Sequence, residues 1–203
     1  MRHIVFEEAS TYPVALLIKA SAFNQREIQT TYVEPLKERG LAADQMIAFT
    51  LAYNNNGKAP VSFIKEYLTG KLLPALDRLG TRTLYVADTH YFKVLAKVAR
   101  ADPHQGYALP CNIPGYEHME VVLGLNHKAL MYNPANQPKL DLSLKTLVSV
   151  VNQTYQEPGQ DIIHHGEYPE TLADITAALE KLKAYPELAA DIETASLRFN
   201  EAG

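Results

Sequence analysis

The sequence predicts an α/β fold of three layers, with helices on both faces of a mainly parallel central sheet. One reason is that short apolar runs of strand length alternate with longer amphipathic segments along residues 14–151, which is typical of parallel strand–helix units. The other reason is composition. Apolar residues make up 47% of the 203 residues and charged residues 21%, so the chain can bury a core and is not expected to be disordered.

Short apolar runs place the predicted strands at residues 3–8, 14–20, 45–52, 83–87, 107–109 and 120–123. The first two runs are separated by a turn-prone stretch that ends in Pro13. The third run ends in three consecutive asparagines and Gly57, a composition that indicates a loop.

Amphipathic periodicity places the predicted helices at residues 24–39, 61–79, 89–99 and 141–151. Pro74 lies inside the second of these segments and predicts a kink there, because proline lacks the N–H that a helix interior needs. In the last segment, Leu142, Leu147 and Val150 are expected to face the core.

A polar stretch rich in Gly and Pro divides the chain into a domain at 1–155, a linker at 156–170 and a C-terminal extension at 171–203. The extension is predicted to hold a helix and then a short strand at 188–193. Thr171 is the expected N-cap, with Asp174 as its capping-box partner. The apolar stripe of the helix consists of Leu172, Ile175, Leu179 and Leu182.

Charge is unevenly distributed along the chain, whose net charge is −4. Residues 58–100 carry eight Lys or Arg and three Asp or Glu, whereas residues 156–203 carry three and ten. The basic segment has two open interpretations, a face that meets phosphate or the solvated side of a helix–strand–helix unit. No secretory signal or membrane-length apolar run is seen. A single cysteine, Cys111, excludes an internal disulfide and fits a cytoplasmic protein.

Asp191 and Glu193 form a D-x-E pair in the last predicted strand, where side chains two residues apart point to the same face. Carboxylate oxygens suit magnesium, although the spacing alone is also that of two solvated acids. The surrounding sequence, TLADITAALEKLKAYPE followed by LAADIETASL, resembles the start of the 3′–5′ exonuclease domain of family A (DNA polymerase I-like) DNA polymerases. The resemblance implies that Asp191 and Glu193 bind magnesium in a longer parent enzyme. It also implies that this fragment ends just inside the exonuclease domain, with an incomplete site and no cofactor of its own.

The first 155 residues resemble the uracil-DNA glycosylase superfamily. The resemblance rests on EVVLGLNHKALMYNPANQPKLDLSLKTL, TLYVADTHYFKVLAKV and AFTLAYNNNGKAP, and it implies a glycosylase-like fold of the kind that bacteriophage polymerases carry as an N-terminal extension. His127 falls at the histidine of the superfamily's late loop, but Lys128 replaces the proline that follows it. The first-strand loop ALLIKASAFNQREI has no acid before Glu27, so the water-activating group of the superfamily is missing.

Four side chains are expected to contact a DNA backbone, namely Asn126, His127, Lys128 and Lys58. They follow predicted strands, and the carboxyl ends of parallel strands meet at one edge of a sheet, where ligands usually bind. For His127, a hydrogen bond within a turn is an equally good interpretation. Phe23, Asn24 and Asn54 would suit a flipped base, but a core or helix-start residue and turn residues explain them as well.

The leading hypothesis is therefore a non-catalytic N-terminal accessory domain of a phage DNA polymerase, which supports replication by binding DNA or a replisome protein in the host cytoplasm. The alternatives are an active base-excision glycosylase and a purely structural or protein-binding module. No membrane partner is expected. A thiol nucleophile at Cys111 with His104 or His118, a metal site at His164 and His165, and base stacking by Tyr85, Tyr91 or Tyr132 are weaker alternatives.

Overall fold

A computed structural model describes residues 1–54, 56–159 and 169–188 of the chain. Contacts divide the chain into two compact units, Met1–Asp161 and Ile162–Gly203. The predicted strand at 188–193, with Asp191 and Glu193, lies outside the described residues apart from Leu188, and so do His164 and His165.

A six-stranded mixed sheet forms the centre of the first unit, in the order β1-β3-β2-β4-β6-β5. Its four inner strands are parallel, and the two outer strands, β1 and β5, run antiparallel to their neighbours. The strands are β1 His3–Val5, β2 Val14–Lys19, β3 Met46–Leu51, β4 Thr83–Ala87, β5 Ala108–Pro110 and β6 Glu120–Leu123.

Alternation along the inner strands sends successive side chains to two separate apolar clusters, one on each face of the sheet. In β2, Ala15 and Leu17 join one cluster, whereas Leu16 and Ile18 join the other. All four side chains are fully buried. The sheet is thus covered on both faces, as the uninterrupted apolar sequence of its inner strands requires, and the mixed α/β architecture is compatible with three layers.

Helices cover both faces of the sheet. One face is covered by α3 Val61–Tyr67, α4 Leu73–Arg78 and α5 Thr89–Leu95, and the opposite face by α1 Gln25–Ile28, α2 Glu34–Glu38 and α7 Gln137–Val151. A short helix, α6 Lys128–Tyr132, follows β6. On the second face, Arg39 Nη2 lies 3.4 Å from Asp141 Oδ1, joining the end of α2 to α7.

Two π-helical segments lie immediately before prolines, at Gln29–Val33 ahead of Pro35 and at Leu68–Leu72 ahead of Pro74. In each, the backbone N–H of the residue before the proline donates to the carbonyl of the residue five positions earlier. Glu34 donates to Gln29, and Leu73 donates to Leu68. A proline cannot donate to the carbonyl four residues earlier and its ring would collide with that carbonyl, so the wider turn relieves both problems. The disturbance predicted at Pro74 is thus a π segment, and the similar one at Pro35 was not predicted.

Two helix predictions need correction. The third predicted helix ends at Leu95 rather than at residue 99, because Lys97 adopts a left-handed conformation with φ 54°. The last begins one turn early, at Gln137, with Pro138 in its first turn. Its buried stripe is Leu140, Leu144, Leu147 and Val150. The prediction that Leu142 faces the core is wrong, since its side chain is 43% exposed and lies against Gly106.

In the second unit, the described residues form one helix, α8 Leu172–Leu182. Thr171 caps it as predicted, because its Oγ1 accepts the N–H of Asp174 at 3.2 Å. The reciprocal bond differs from a capping box, since the Asp174 carboxylate accepts the Thr171 hydroxyl at 2.6 Å rather than a backbone N–H. The predicted apolar stripe is exposed at all four of its leucine and isoleucine positions.

None of the helices in the described parts of the chain combines the length and the apolar character needed to cross a membrane.

Candidate nucleic-acid interface at the carboxyl edge of the sheet

The parallel arrangement of β3, β2, β4 and β6 brings the loops that follow these strands to one edge of the sheet, called here the carboxyl edge. The segments that follow the strands are residues 20–24, 52–60, 88–90 and 124–127, and the third of them includes the first two residues of α5. Arg2 joins them from the start of the antiparallel strand β1, since its carbonyl accepts the N–H of Thr50 at 3.0 Å. Most of the polar side chains of the candidate interface belong to these segments.

One half of the carboxyl edge is a hydrogen-bonded group of polar side chains, called here the histidine cluster: Glu27, Tyr32, Tyr85 and His127. Tyr32, Tyr85 and His127 are buried, whereas the Glu27 side chain is 43% exposed. Only 5% of His127 is exposed. Its Nε2 lies 2.9 Å from Oε2 of Glu27, which places a proton on Nε2 to donate to the carboxylate. Its backbone N–H donates to the Tyr32 hydroxyl at 2.7 Å. The hydroxyl proton has two acceptors, the carbonyl of Leu125 at 2.8 Å and His127 Nδ1 at 3.3 Å.

Tyr85 completes the histidine cluster from the centre of the sheet. Its hydroxyl lies 2.9 Å from Oγ of Ser143 and accepts the N–H of Leu125 at 3.2 Å. Ser143 Oγ donates to the carbonyl of Leu140, so the Tyr85 hydroxyl is the donor to Ser143. Burial raises the pKa of Tyr85 to about 12, and burial is also the main reason that the pKa of Tyr32 is well above its ordinary value. Both hydroxyls therefore stay protonated near neutral pH and act as fixed hydrogen-bonding groups.

Asp88 anchors a second polar group on the same edge. Its Oδ1 accepts the N–H groups of His90 and Tyr91 and caps α5, and its Oδ2 accepts the hydroxyl of Tyr53. Only 8% of the Asp88 side chain is exposed. Burial and the hydrogen bond to Asp88 raise the pKa of Tyr53 far above its ordinary value. The Lys19 ammonium lies 4.2 Å from the centre of the Tyr53 ring, a cation–π contact.

The cations of the carboxyl edge are held by neutral groups. Arg2 donates to the carbonyl of Ala20 at 3.2 Å with its guanidinium 5.6 Å from the Phe23 ring centre, and the Lys128 ammonium donates to the carbonyl of Ser21. Within the described residues, no carboxylate oxygen lies within 4.0 Å of the charged nitrogens of Arg2, Lys19, Lys58 or Lys128. The carboxylates of Glu27 and Asp88 already have partners, so the cations here keep their charge available.

The four predicted DNA-contacting side chains lie at the same edge of the sheet but in two separate segments, and one of the four is buried. Asn126 and Lys128 are adjacent to the histidine cluster, where Asn126 Oδ1 accepts the N–H of Lys128 at 3.0 Å. Lys58 is exposed in the loop after β3. His127 belongs to the buried cluster, with both ring nitrogens occupied by protein partners.

The three residues weighed as base contacts have structural roles. Asn24 caps α1 through the N–H of Glu27, and Asn54 accepts the N–H groups of Asn56 and Lys58 in a turn. Phe23 is partly buried against the apolar cluster under α1 and α7.

Tyrosines differ sharply in their environments. Tyr85 and Tyr91 are fully buried, so their rings are not available to a base, but Tyr132 is 87% exposed at the end of α6. Base stacking, a weaker alternative from the sequence, therefore stays open for Tyr132, whose ring lies four residues from Lys128. Arg2 and Lys19 were missed, because only strand pairing brings them to this edge.

Cys111 and the two histidines weighed with it do not form a thiol site. Cys111 is buried, and burial raises the pKa of its thiol. His104 packs between Phe92 and Tyr107, and His118 lies 3.2 Å from Asp77. Within the described residues, no group of three His, Cys, Asp or Glu side chains is arranged to hold a metal ion.

No protein-family model matches the chain, and no curated protein is significantly similar to it. What the carboxyl edge can bind therefore follows from its own chemistry. Cations held by carbonyls and rings, backbone amides in loops and an exposed aromatic ring are the groups that bind phosphates and stack unpaired bases.

Proposed function

We propose that the first unit is a DNA-binding accessory module without base-excision activity. In this proposal it is the N-terminal part of a phage-type family A DNA polymerase and works in the cytoplasm of the host cell. The observation that carries the DNA-binding part is the set of uncompensated cations at the carboxyl edge. The glycosylase-like assignment and the polymerase context rest on the sequence resemblances.

The distribution of charge indicates that DNA would be attracted by one surface of the protein and not by its net charge. The whole chain has a net charge of −4, so a polyanion is repelled on average and must be held by a particular surface. At the carboxyl edge, Lys58 and Lys128 are unpaired, whereas the acids Glu27 and Asp88 are engaged by His127 and Tyr53. Contacts of lysine and arginine with phosphates give binding that does not depend on base sequence and weakens with salt.

The absence of base-excision activity is supported by Glu27 and His127, which are already hydrogen-bonded to each other. A base-excision enzyme needs a group that activates water and another that stabilises the departing base. Glu27 is the nearest acid to the histidine loop, yet its carboxylate bonds His127, and His127 is buried. Incubating the chain in excess with uracil- or hypoxanthine-containing DNA and cleaving with alkali should leave the strand intact. Strand cleavage that is lost in Glu27→Gln would instead establish an active glycosylase.

The polymerase part of the proposal rests on residues 171–197. In the longer enzyme, Asp191 and Glu193 would bind magnesium through their carboxylates, with further ligands from sequence beyond residue 203. The parent reading frame tests this directly. Additional acidic motifs and a polymerase domain after Gly203 are expected, and an unrelated continuation would overturn the assignment.

The DNA-binding part is tested by fluorescence anisotropy of the full chain with a labelled single-stranded oligonucleotide at two salt concentrations. Affinity should fall as salt rises. Lys58→Glu combined with Lys128→Glu should weaken binding at low salt by about tenfold or more, since each replaced phosphate contact is lost and becomes repulsive.

The matched control reverses two exposed arginines at the opposite edge of the sheet, Arg78 and Arg82. Arg78→Glu combined with Arg82→Glu changes the net charge equally but should alter affinity by less than about twofold. Equal losses in both double variants would mean that net charge alone governs binding, and undetectable binding of the wild-type chain at low salt would overturn the proposal.

A further inference from the structure

A groove between α3 and α5 adjoins the carboxyl edge, since Ala59 and His90 belong to its lining, but its chemistry is different. It has a volume of about 360 Å³, which is in the lower range of ligand sites. Its floor includes Ile64, Val94 and Val98, and its rim includes Lys65, Lys93 and Lys97. The groove is part of the basic segment 58–100 for which the sequence left two interpretations open.

The charges around this groove have one sign. None of the side chains that line it is a carboxylate. Within the described residues, no acid lies within 4.0 Å of the ammonium groups of Lys65, Lys93 or Lys97. Three unpaired lysines around an aliphatic floor attract a ligand that is both anionic and apolar, because each half of such a ligand meets a complementary surface.

Lys97 reaches the rim from two residues beyond the end of α5. It has φ 54°, in the left-handed region that glycine and asparagine adopt more easily. Replacing Lys97 by glycine therefore removes the charge without straining the backbone.

The floor favours a peptide over a nucleic acid. Unpaired bases bind by stacking on aromatic rings or on arginine, and they are read by amide or other hydrogen-bonding groups. The lining includes one ring, His90, whose Nδ1 lies 3.9 Å from Asp88 Oδ1, and no arginine or amide side chain. The floor residues Ile64, Val94 and Val98 are branched aliphatic side chains, which suit leucine or phenylalanine. Lysines at the rim suit the carboxylates that flank such anchors.

We propose that this groove docks an acidic peptide segment of a partner protein. An apolar side chain of the peptide fills the floor, and neighbouring Asp or Glu side chains pair with the three lysines. The three lysines of this groove are not those of the proposed DNA contact, so the two interactions can be tested with different variants.

A synthetic peptide with leucines set among aspartates, labelled with a fluorophore, tests the proposal in anisotropy titrations with the full chain. Lys93→Glu combined with Lys97→Glu should weaken binding by about tenfold. The matched control, Lys37→Glu combined with Lys145→Glu, reverses equal charge on α2 and α7 and should leave the affinity within about twofold. Peptides with serine for leucine, or asparagine for aspartate, should each bind more weakly.

Lys97→Gly separates binding from folding. Because glycine accepts the left-handed conformation, this variant should keep or raise the melting temperature while it weakens peptide binding. Unchanged peptide affinity in the lysine variants, or equal loss in the control, would overturn the proposal. So would oligonucleotide binding that depends on Lys93 and Lys97 with no peptide binding. Lys128→Glu alone should weaken DNA binding and spare the peptide, so the two proposals fail separately.

Discussion

The two halves of the carboxyl edge differ in whether their polar side chains have partners within the protein. In the histidine cluster, every polar side chain has a protein partner, and Tyr32, Tyr85 and His127 are buried. The second group, called here the cationic half, consists of Lys58 and Lys128, and neither ammonium lies within 4.0 Å of a carboxylate oxygen among the described residues. Satisfied buried groups hold the loops in position, and unpaired exposed charges remain available to an external anion.

This difference predicts that substitutions in the two halves will affect different measurements. Changes in the histidine cluster should alter the free energy of unfolding with little effect on DNA affinity per folded molecule. Changes in the cationic half should do the reverse, because surface charges contribute little to stability. The predictions below test this separation, beginning with the largest expected effect.

Gly124→Ala should destabilise the protein most, by about 3 kcal/mol. A Cβ at this position would lie 2.4 Å and 2.6 Å from Cε1 and Cζ of Tyr85, whose ring is fully buried and bonded to Ser143. The ring therefore cannot move aside without breaking the histidine cluster. Urea unfolding monitored by circular dichroism measures the change.

Gly70→Ala is the matched control, because nothing lies within 4 Å of its Cβ position and its φ is not positive. It should be neutral or stabilising by up to about 1 kcal/mol. Equal stability of the two alanine variants would show that the packing between Gly124 and Tyr85 is loose, contrary to the close contact argued here.

Tyr32→Phe should cost about 2 kcal/mol, because it leaves the N–H of His127 and the carbonyl of Leu125 without their partner. The same urea experiment measures it, with Tyr132→Phe as a control whose hydroxyl has no hydrogen bond among the described residues. DNA affinity of the folded protein should stay unchanged in both variants. A strong loss of affinity in Tyr32→Phe at full folding would mean that the buried half also contacts DNA.

The strands were predictable because their pattern is local. Residues 83–87 match β4 at both ends, and the apolar run at 14–20 ends within one residue of β2. Helix ends were less predictable, since Lys97 adopts a conformation that its residue type does not indicate. Leu142 was misassigned for a related reason. The predicted helix began four residues late, so Leu140 was left out and Leu142 was assigned to the buried face in place of Leu144.

The candidate site was predictable only where residues directly follow strands. Lys58 and Lys128 were found in this way. The bond between His127 and Glu27 joins residues 100 positions apart, and no spacing in the sequence indicates it. Lys19 was assigned to a strand and not weighed as a contact, although it ends β2 at the edge, where its ammonium lies over the ring of Tyr53 from the loop after β3. Contacts between residues distant in sequence therefore decide which polar side chains are bonded within the protein and which can contact a ligand.

Tyr132→Ala should give the smallest effect and the most selective one. The ring is 87% exposed on α6, close in sequence to Lys128. Stacking an unpaired base on such a ring contributes about 1 kcal/mol or more, so affinity for single-stranded DNA should fall roughly fivefold. Affinity for duplex DNA should hardly change, since paired bases are not free to stack, and the free energy of unfolding should stay the same.

Anisotropy with matched single-stranded and duplex oligonucleotides measures this selectivity, and Tyr132→Phe should retain wild-type affinity because it keeps the ring. Tyr185→Ala removes another exposed tyrosine, in the second unit, and serves as the control. If Tyr132→Ala weakens both forms of DNA equally, the ring does not stack on bases and the cationic half binds through phosphates alone. If Tyr132→Ala lowers the free energy of unfolding instead, the Tyr132 ring contributes to stability. The proposed separation between stability and DNA binding then fails at this residue.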